Sequence, residues 1–537
     1  MKPQRAGLLF ASGSALALLL AACSGGSSNS ASPQPTSTAS QVFTYDTTAT
    51  VMDDTWDPAT EYSDGIIAMP NMYETLTRYN SVTHKVDPLL ATSWSKSADG
   101  LTWTFHLRHG VHFHTGRLMT AQAAKAALQR TIKLGGGAAY VFTPVKSMST
   151  PDQYTLVFHL SYPAPMDVAT SAAYSAYIYD TQAAGSTASN SALTKWFNTP
   201  HDAGTGPYTV QTWNKGQEFE VILKDYPGYW GGWSGPHYKK VVFRVVSQDS
   251  TSAQLLRSGQ VTFVEQVSPS VWQSFKGQQG IRTMTSPSWQ NLVAQINSQT
   301  LNLKLRQAIS YGIDYPGIIA ALHGAAVSSS GLIPDGLFGH STNLPNYTYD
   351  PAKATQMLKQ AGYGPGGKAL NLSLTYTQGD SNEQVVATLL KSSLAKLNIN
   401  LSTQSLAWPT QWAKAKSSDT ASRQSIFLEY WWPDMPDPDT WFTNLLLTEH
   451  PPYYNLSYYS NPALDKQINK VDELTATNPA AGNQLYHTMQ TEVLQQAPLQ
   501  ALYNVNYQYA MRTSFTGFVP NPAYANVVFV YNLKPTG

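Results

Sequence analysis

A histidine-rich stretch is the first place in this sequence where metal chemistry would be possible. Its imidazoles belong to His106, His109, His112 and His114. On an extended segment His112 and His114 point to the same face, so their two rings could bind one transition metal. The stretch contains no carboxylate or thiol that would complete a ligand set. The residues therefore indicate an ordinary strand and turn, and we predict no metal site.

Glycines at 362–368 form a second motif with a possible chemical meaning. Gly362, Gly364 and Gly367 match the GxGxxG pattern, and Lys368 brings the stretch close to a phosphate-binding loop. Such loops run from a strand into a helix, so that the helix N-terminus faces the phosphate. Here a predicted helix precedes the glycines, a strand follows them, and Ala369 stands where magnesium would need a hydroxyl. The pattern predicts a helix-ending turn, and we expect no cofactor.

Tryptophans on both sides of one aspartate are the strongest candidates for ligand binding. The aspartate is Asp434, and the indole side chains are those of Trp408, Trp412, Trp431, Trp432 and Trp441. Aromatic faces can pack against ligand side chains, stack on sugar rings or fill a protein core. The sequence contains no GxSxG or HExxH motif and no cysteine placed as a nucleophile. A binding protein is therefore favoured over an enzyme.

Composition excludes several other classes of function. The 537 residues carry a formal net charge of +1, and only 12% of them are charged, so nucleic acid is not an expected partner. The single cysteine rules out a disulfide within the chain. The aromatic content of 12% suits either a recognition cleft or a large core.

The N-terminal segment predicts export and attachment to a membrane. Lys2 and Arg5 precede a stretch of apolar and small residues at 6–22, which is typical of a signal peptide. The sequence Leu-Ala-Ala-Cys at 20–23 resembles the lipobox of bacterial lipoproteins, in which the cysteine is acylated. We therefore expect residues 1–22 to be removed, Cys23 to carry the lipid anchor and 23–40 to form a flexible tether.

The rest of the chain reads as α interspersed with β, which predicts an α/β fold. Alternating apolar residues indicate strands at 42–50, 101–107, 154–160, 370–376, 400–405 and 425–430. A helix is expected to begin after Thr120, whose hydroxyl can cap it. Further helices are expected at 303–313, 351–361, 383–397, 462–474 and 480–496.

Several segments, in order along the chain, resemble the bacterial extracellular solute-binding proteins of family 5, which serve peptide and nickel ABC importers. The matching segments are WDP (56–58), YETLTRY (73–79), PLLATSW (88–94), LRHGVHFHTG (107–116), GTGPY (204–208), YPGYW (226–230), LRQAISYGID (305–314) and WPDMPDP (432–438). The agreement of their order is more specific than any single motif.

The resemblance implies an α/β fold like that of type II periplasmic-binding proteins (cluster C), with three lobes. The first lobe would combine 41–82, 207–295 and 505–537, the second would be 83–206 and the third 296–504. The ligand cleft would lie between the first and third lobes, and hinge closure would trap the ligand there. A monomeric, lipid-anchored, non-enzymatic receptor that delivers a peptide to ABC permease subunits is the expected function.

The resemblance also implies which residues bind the ligand. In peptide-binding relatives an aspartate at the position of Asp434 pairs with the ligand's α-ammonium, and the expected ligand-binding set is Asp434, Trp431, Trp432, Trp441 and Trp408. Some relatives carry an arginine a few residues earlier, but this chain has Phe427 to Trp431 there and Arg423 further upstream. An oligosaccharide receptor of the same family, a secreted hydrolase and a sensor without a permease remain alternatives.

Overall fold

Two neighbouring strands in the first third of the chain have every second residue buried. The computed structural model describes residues 41–47, 55–215 and 219–536. The strands Thr102–Leu107 and Thr155–Leu160 pair with each other, and in both the buried side chains are apolar and occupy every second position. The predicted signal peptide, tether and Cys23, as well as residues 48–50 of the first predicted strand, lie outside the described residues.

Strands are numbered here in chain order. They are β1 Val42–Thr47, β2 Thr77–Asn80, β3 Lys85–Pro88, β4 Ala91–Lys96, β5 Thr102–Leu107, β6 Val145–Asp152, β7 Thr155–Leu160, β8 Tyr208–Asn214, β9 Glu220–Asp225, β10 Lys240–Val245, β11 Phe263–Glu265, β12 Ile281–Ile296, β13 Ala326–Val327, β14 Leu370–Thr377, β15 Ile399–Leu406, β16 Ile426–Trp431, β17 Leu499–Arg512, β18 Phe515–Thr516 and β19 Lys534–Pro535.

Helices are numbered in the same way. They are α1 Ala121–Leu134, α2 Met166–Ala169, α3 Asn190–Phe197, α4 Asp249–Ser258, α5 Pro269–Phe275, α6 Leu303–Gly312, α7 Tyr315–Ala321, α8 Pro351–Gln360, α9 Ser381–Ala395, α10 Trp408–Ala415, α11 Asp439–Leu445, α12 Pro462–Thr477 and α13 Pro479–Gln496. Short 3-10 helices occupy Asp64–Ile67, Met69–Asn71, Ala139–Phe142, Thr420–Ser422 and Val530–Asn532.

The predicted elements are present with ends that differ by a few residues. Thr120 caps α1 by accepting a hydrogen bond from the amide of Ala123 at 3.2 Å, and Asp350 caps α8 in the same way from Lys353 at 2.9 Å. The glycine motif follows α8 and precedes β14, with Gly362 and Gly364 at φ values of 83° and 97°. The predicted helix-ending turn is confirmed, because these left-handed conformations suit glycine.

Two long strands hold the large sheet together. Within the described residues this sheet has eleven strands in the order β15-β14-β16-β12-β17-β11-β1-β10-β9-β8, with β13 beside β17. β12 and β17 pair antiparallel along their length. β16 pairs with one end of β12, and β11 pairs with β17 at the opposite end of that ladder. The pair therefore connects the β14–β16 part of the sheet to the part that contains β1 and β8–β11.

The ladder between β12 and β17 is interrupted in its middle. Pro287 pairs with Asn506 and Asn291 with Asn504, so β12 has extra residues at this point. The displaced residues find other partners: the amide of Trp289 donates to the Pro522 carbonyl at 2.8 Å. The interruption turns Gln290 toward the cavity described below.

A separate sheet of β4-β5-β7-β6 carries α1 on one face. It lies inside 83–206, the range predicted for the second lobe. The lobe boundaries themselves stay a prediction.

Three of the sequence motifs meet at one buried carboxylate, Glu74. Its two oxygens accept hydrogen bonds from Thr205 Oγ1 (2.8 Å), Tyr229 Oη (3.0 Å) and Trp230 Nε1 (2.8 Å). A Cβ at Gly204 would lie 2.0 Å from the Met72 carbonyl oxygen, so this close approach requires glycine. The YETL, GTGPY and YPGYW segments are therefore explained by packing.

A buried ion pair explains the WDP segment. Arg130 donates to both carboxylate oxygens of Asp57, at 2.6 and 2.5 Å, and Thr194 Oγ1 donates to the same carboxylate at 2.7 Å. The bidentate geometry satisfies a pair of charges that would otherwise be costly to bury. The pair joins the segment after β1 to α1 and α3.

The segment 521–533 has little regular structure but is tightly bonded to distant parts of the chain. Asn71 Nδ2 donates to the Val528 carbonyl at 3.0 Å, and Tyr45 Oη donates to the Asn526 carbonyl at 2.7 Å. Tyr509 Oη donates to the Ala525 carbonyl at 2.8 Å. These bonds fix the segment against the large sheet.

Candidate ligand-binding site

A cavity of about 410 Å³ opens beside the middle of the large sheet. Its lining residues fall in the ranges predicted for the first and third lobes, with Tyr174 from the range of the second. Ten of them are tryptophan or tyrosine, five carry carboxyl groups, and Lys416 is the one basic residue among the described lining residues. The volume lies within the range of pockets that bind small molecules.

Four of the tryptophans that were singled out from the sequence form one wall of this cavity. Trp408 and Trp412 lie on α10 with ring centroids 5.3 Å apart, Trp431 is the last residue of β16, and Trp432 follows it. Trp432 Nε1 donates to Tyr174 Oη at 3.1 Å, which fixes the indole against the opposite wall. Trp412 and Trp431 both pack against the ring of Tyr454. The predicted residues Trp408, Trp431 and Trp432 thus reach one cavity.

Trp441 lies elsewhere. Its side chain is fully buried on α11, and its Nε1 donates to Asn291 Oδ1 at 3.1 Å on β12. It is absent from the residues that line the cavity. Its position is that of a core residue which holds α11 against β12.

Asp434 lies directly behind the cavity wall. Its Oδ2 accepts hydrogen bonds from Tyr140 Oη at 2.5 Å, Tyr62 Oη at 3.0 Å and Thr440 Oγ1 at 3.1 Å. Tyr62 lines the cavity, whereas Asp434 is 1% exposed and does not. Burial raises the pKa of Asp434 to about 6, and the hydrogen bonds from Tyr140 and Tyr62 limit the rise. Asp434 is thus connected to the cavity through Tyr62, which lines the cavity and donates a hydrogen bond to the Asp434 carboxylate.

The cavity carboxylates are functional candidates that the sequence reading missed. They are Asp64, Glu265, Asp380, Glu383 and Glu429. Glu429 could have been recognised from the sequence, because it is a charged residue within the otherwise largely apolar strand Ile426–Trp431. Asp380 and Glu383 look like ordinary helix-start residues, and the Asp380 carboxylate does cap α9 by accepting from the Glu383 amide at 2.8 Å. Only the fold shows that both also face a cavity.

Burial shifts the titration of these carboxyl groups upward. It raises the pKa of Glu265 and of Glu429 to about 8. It raises the pKa of Asp64 to about 6, with the charge of Asp380 adding to the effect. The pKa of Glu383 is raised well above its usual range by burial and then by Asp380. Each shift means that the ionised form is under-stabilised inside the protein.

Several buried polar atoms in the cavity wall have no hydrogen-bond partner in the described part of the chain. They are Glu265 Oε2, Gln266 Nε2, Gln290 Oε1, Trp431 Nε1 and Tyr454 Oη. Buried polar groups without partners are costly and are normally satisfied by protein, water or ligand. The set contains both hydrogen-bond donors and acceptors.

The family follows from a comparison with known sequences. The profile of the bacterial extracellular solute-binding proteins, family 5 Middle, matches residues 85–452, more than half of the chain. The chain belongs to this family. The predicted family resemblance is therefore confirmed.

This solute-binding protein is similar over nearly its whole length to a curated relative. It is 28% identical over 490 residues to the probable D,D-dipeptide-binding periplasmic protein DdpA of Escherichia coli (strain K12). The alignment covers 87% of this chain and 90% of the relative.

Solved structures share the fold. The periplasmic binding protein DppA from Helicobacter pylori, in complex with the peptide STSA, has a TM-score of 0.81 at 23% identity, covering 93% of this chain and 99% of the other. The oligopeptide-binding protein AppA from Bacillus subtilis, in complex with a nonapeptide, has a TM-score of 0.79 at 18% identity, covering 93% and 99%. The predicted α/β periplasmic-binding fold is confirmed.

The histidines of the 106–114 stretch lie in different environments in this solute-binding protein. Both ring nitrogens of buried His114 face acceptors, the Asp202 carboxylate and the Gly206 carbonyl. Although burial favours the neutral ring, Asp202 raises the pKa of His114 above its ordinary value. His109 stacks on Tyr154 at 3.9 Å between centroids. Within the described ranges, no three His, Cys, Asp or Glu side chains are placed so that they could hold one metal ion together.

The expected membrane attachment concerns residues outside the described ranges. Cys23 and the preceding signal sequence remain predictions. In the ranges that the structure covers, no helix is both long and apolar enough to cross a membrane.

Proposed function

We propose that this solute-binding protein captures a short peptide outside the cytoplasmic membrane and delivers it, chemically unchanged, to the permease of an ABC importer. The similar E. coli protein is named for a dipeptide, and the similar H. pylori and B. subtilis proteins hold peptides. Family membership supports a binding function rather than an enzymatic one.

The observation that carries the peptide assignment is the set of unpartnered polar atoms in an aromatic cavity. Glu265 Oε2 and Gln290 Oε1 are acceptors, whereas Gln266 Nε2 and Trp431 Nε1 are donors. A peptide backbone supplies N–H and C=O groups in alternation and can satisfy both kinds. The tryptophan and tyrosine faces offer apolar area for side chains.

The contact residues follow from this arrangement. Trp408, Trp431 and Trp432 would contact ligand directly. Asp434 would act on the ligand through Tyr62, whose phenol it holds, and Trp441 would support the wall from the core. Closure of the first and third lobes over the ligand would exclude water and strengthen the polar contacts.

The protein would act at the membrane surface as a monomer. Acylation of Cys23 would anchor it, and residues 23–40 would let the folded part meet the permease. Radiolabelled palmitate incorporation that is lost in Cys23→Ser would support the anchor; equal labelling of both proteins would contradict it.

Calorimetric titration of the purified protein with defined dipeptides, tripeptides and cello-oligosaccharides tests the proposed function. We expect saturable one-to-one binding of peptides, with the same peptides recovered intact by mass spectrometry. Binding of the sugars alone would replace the peptide assignment by the oligosaccharide alternative. Cleaved peptides after incubation would replace it by the hydrolase.

A further inference from the structure

The five cavity carboxyl groups, called the row below, line the cavity from two parts of the fold. Asp64 and Glu265 belong to the part of the fold that contains β1 and β11, whereas Asp380, Glu383 and Glu429 belong to the part that contains β14 and β16. Neighbours in the row influence one another electrostatically: Asp64 acts on Glu265, Asp380 on Asp64 and on Glu383, and Glu429 on Glu383. The row therefore spans both sides of the space that a ligand would occupy.

The protein provides no counter-ion for this row in the part that the structure describes. None of the five carboxyl groups belongs to the ion pairs found there. Lys416, the lining lysine, places its ammonium over the rings of Tyr453 and Trp412, at 4.4 and 5.0 Å from their centroids. Burial lowers the pKa of Lys416, and the carboxylate that acts on it is Glu449, outside the row.

Glu265 shows most directly that a cation is expected from outside. Its Oε1 accepts a hydrogen bond from Thr47 Oγ1 at 3.1 Å, whereas Oε2 has no partner among the described residues. The side chain is only 5% exposed and lines the cavity. Without a positive group beside it, the Glu265 carboxyl group tends to keep its proton, because burial raises its pKa to about 8. A cation at the free oxygen would stabilise the ionised form.

Three of the other four members of the row have structural bonds that engage one oxygen. Asp380 caps α9, Glu383 Oε2 accepts from the Thr377 amide at 2.6 Å, and Glu429 Oε1 accepts from Gln295 Nε2. These bonds fix the carboxyl groups in place but bring no positive charge, and burial raises the pKa values of Glu383 and Glu429. A positive group on a ligand would instead favour the ionised form of these side chains.

We propose that the cavity selects short peptides that carry a basic side chain in addition to their α-ammonium group. This inference rests on the proposed peptide function and narrows its substrate class. Two positive groups on one ligand can meet acids on both sides of the cavity, whereas a neutral peptide offers only its α-ammonium. A peptide with an acidic side chain adds a like charge to the row and is rejected.

Three dipeptides that differ only in the first side chain test the inference: Lys-Ala, Ala-Ala and Glu-Ala. In calorimetric titrations we expect Lys-Ala to bind about tenfold or more tightly than Ala-Ala, and Glu-Ala to bind more weakly than both. Equal affinities for Lys-Ala and Ala-Ala would overturn cation selection but leave the peptide function standing. Absence of binding by these and longer peptides of every charge would overturn the peptide function itself. Binding of 1,5-diaminopentane as tightly as Lys-Ala would overturn the requirement for a peptide.

Variants that remove one carboxyl group test whether the preference for Lys-Ala depends on the row. Glu265→Gln and Asp380→Asn keep the side-chain shape, and Asn can still cap α9. Each is expected to reduce the preference for Lys-Ala over Ala-Ala, measured as the ratio of their affinities, about tenfold. Asp335→Asn is the matched control, because the Asp335 side chain is 92% exposed and lies outside the cavity. An equal loss in Asp335→Asn, or none in either row variant with unchanged circular dichroism, would contradict the inference.

Discussion

Tyr140 donates a 2.5 Å hydrogen bond to Asp434 across 294 residues of sequence. Tyr62 donates to the same oxygen at 3.0 Å, and Tyr62 lines the cavity. One carboxylate therefore fixes side chains from two distant parts of the chain beside the cavity. Two functions of Asp434 can therefore be distinguished by experiment: positioning of the tyrosines, and direct pairing with a ligand amine.

Asp434→Asn distinguishes the two functions. If Asp434 positions Tyr62, we expect peptide affinity to fall less than about tenfold, because the amide oxygen still accepts one phenol. Tyr62→Phe should then reproduce most of the loss. Direct pairing with the α-ammonium predicts instead a loss of about a hundredfold in Asp434→Asn and little change in Tyr62→Phe. Calorimetric titration of both variants with one peptide gives the answer.

Trp408 should affect peptide affinity, whereas Trp441 should affect the stability of the fold. Trp408→Ala removes a cavity face and is expected to weaken peptide binding by about 1–2 kcal/mol with little change in Tm. Trp441→Phe leaves Asn291 Oδ1 without its donor in the core and is expected to lower the unfolding free energy by about 1–3 kcal/mol. Thermal unfolding and titration of both variants check this. A Trp441→Phe protein with normal Tm but poor binding would contradict the placement.

Affinity for a basic peptide should depend on pH in a defined direction. A bound cation favours ionised carboxylates, and the pKa values of Asp64 and Glu265 in the unliganded cavity are about 6 and about 8. Binding therefore releases protons, and affinity rises as pH increases from about 5 to about 7.5. Above about 8 it falls, because the peptide's α-amino group loses its proton.

Proton release can be counted by titration in buffers of different ionisation enthalpy. Besides Lys416 in the cavity wall, the other charged or titratable groups that act on the row are Glu61, Asp249, Tyr45, Tyr174, Tyr430, Tyr503, Tyr507 and Tyr509. Burial holds the pKa values of these tyrosines well above their ordinary range, so they stay neutral throughout. Glu265→Gln should reduce the number of protons released. Proton uptake on binding would refute the expected sign.

The Asp57–Arg130 pair should affect stability rather than specificity. Asp57→Asn leaves the buried guanidinium of Arg130 without its carboxylate, and we expect the unfolding free energy to fall by about 3 kcal/mol or more. The double variant Asp57→Asn/Arg130→Met should recover part of this loss, since the unpaired charge is gone. Chemical denaturation measures both changes. Unaltered stability of Asp57→Asn would show that the pair is not important for the fold.

Helices and half-buried strands could be predicted from sequence, but the central strands could not. Thr120 and Asp350 mark helix starts by capping chemistry, and β5 and β7 alternate because one face is buried. The later half of β12 is buried on both faces, as is most of β17. Strands that are buried on both faces do not show an alternation of apolar and polar residues. A run of apolar residues alone does not distinguish a strand from a helix.

The site was predicted in part for a related reason. Tryptophans are rare enough to attract notice, and Trp408, Trp431 and Trp432 do line the cavity. The carboxylates of Asp64, Glu265 and Glu383 are ordinary residues in their local sequences. Their importance comes from being brought together by pairing between strands far apart in the chain, which no local pattern encodes.

The bonded segment 521–533 has a consequence for when the protein becomes able to bind. Asn526 forms part of the cavity wall, and its carbonyl anchors Tyr45 of the first strand. A chain cut after Arg512 would keep every strand of the large sheet and still lack that wall. We therefore expect the cavity to be complete only after residues 521–533 have been synthesised and have docked against the large sheet.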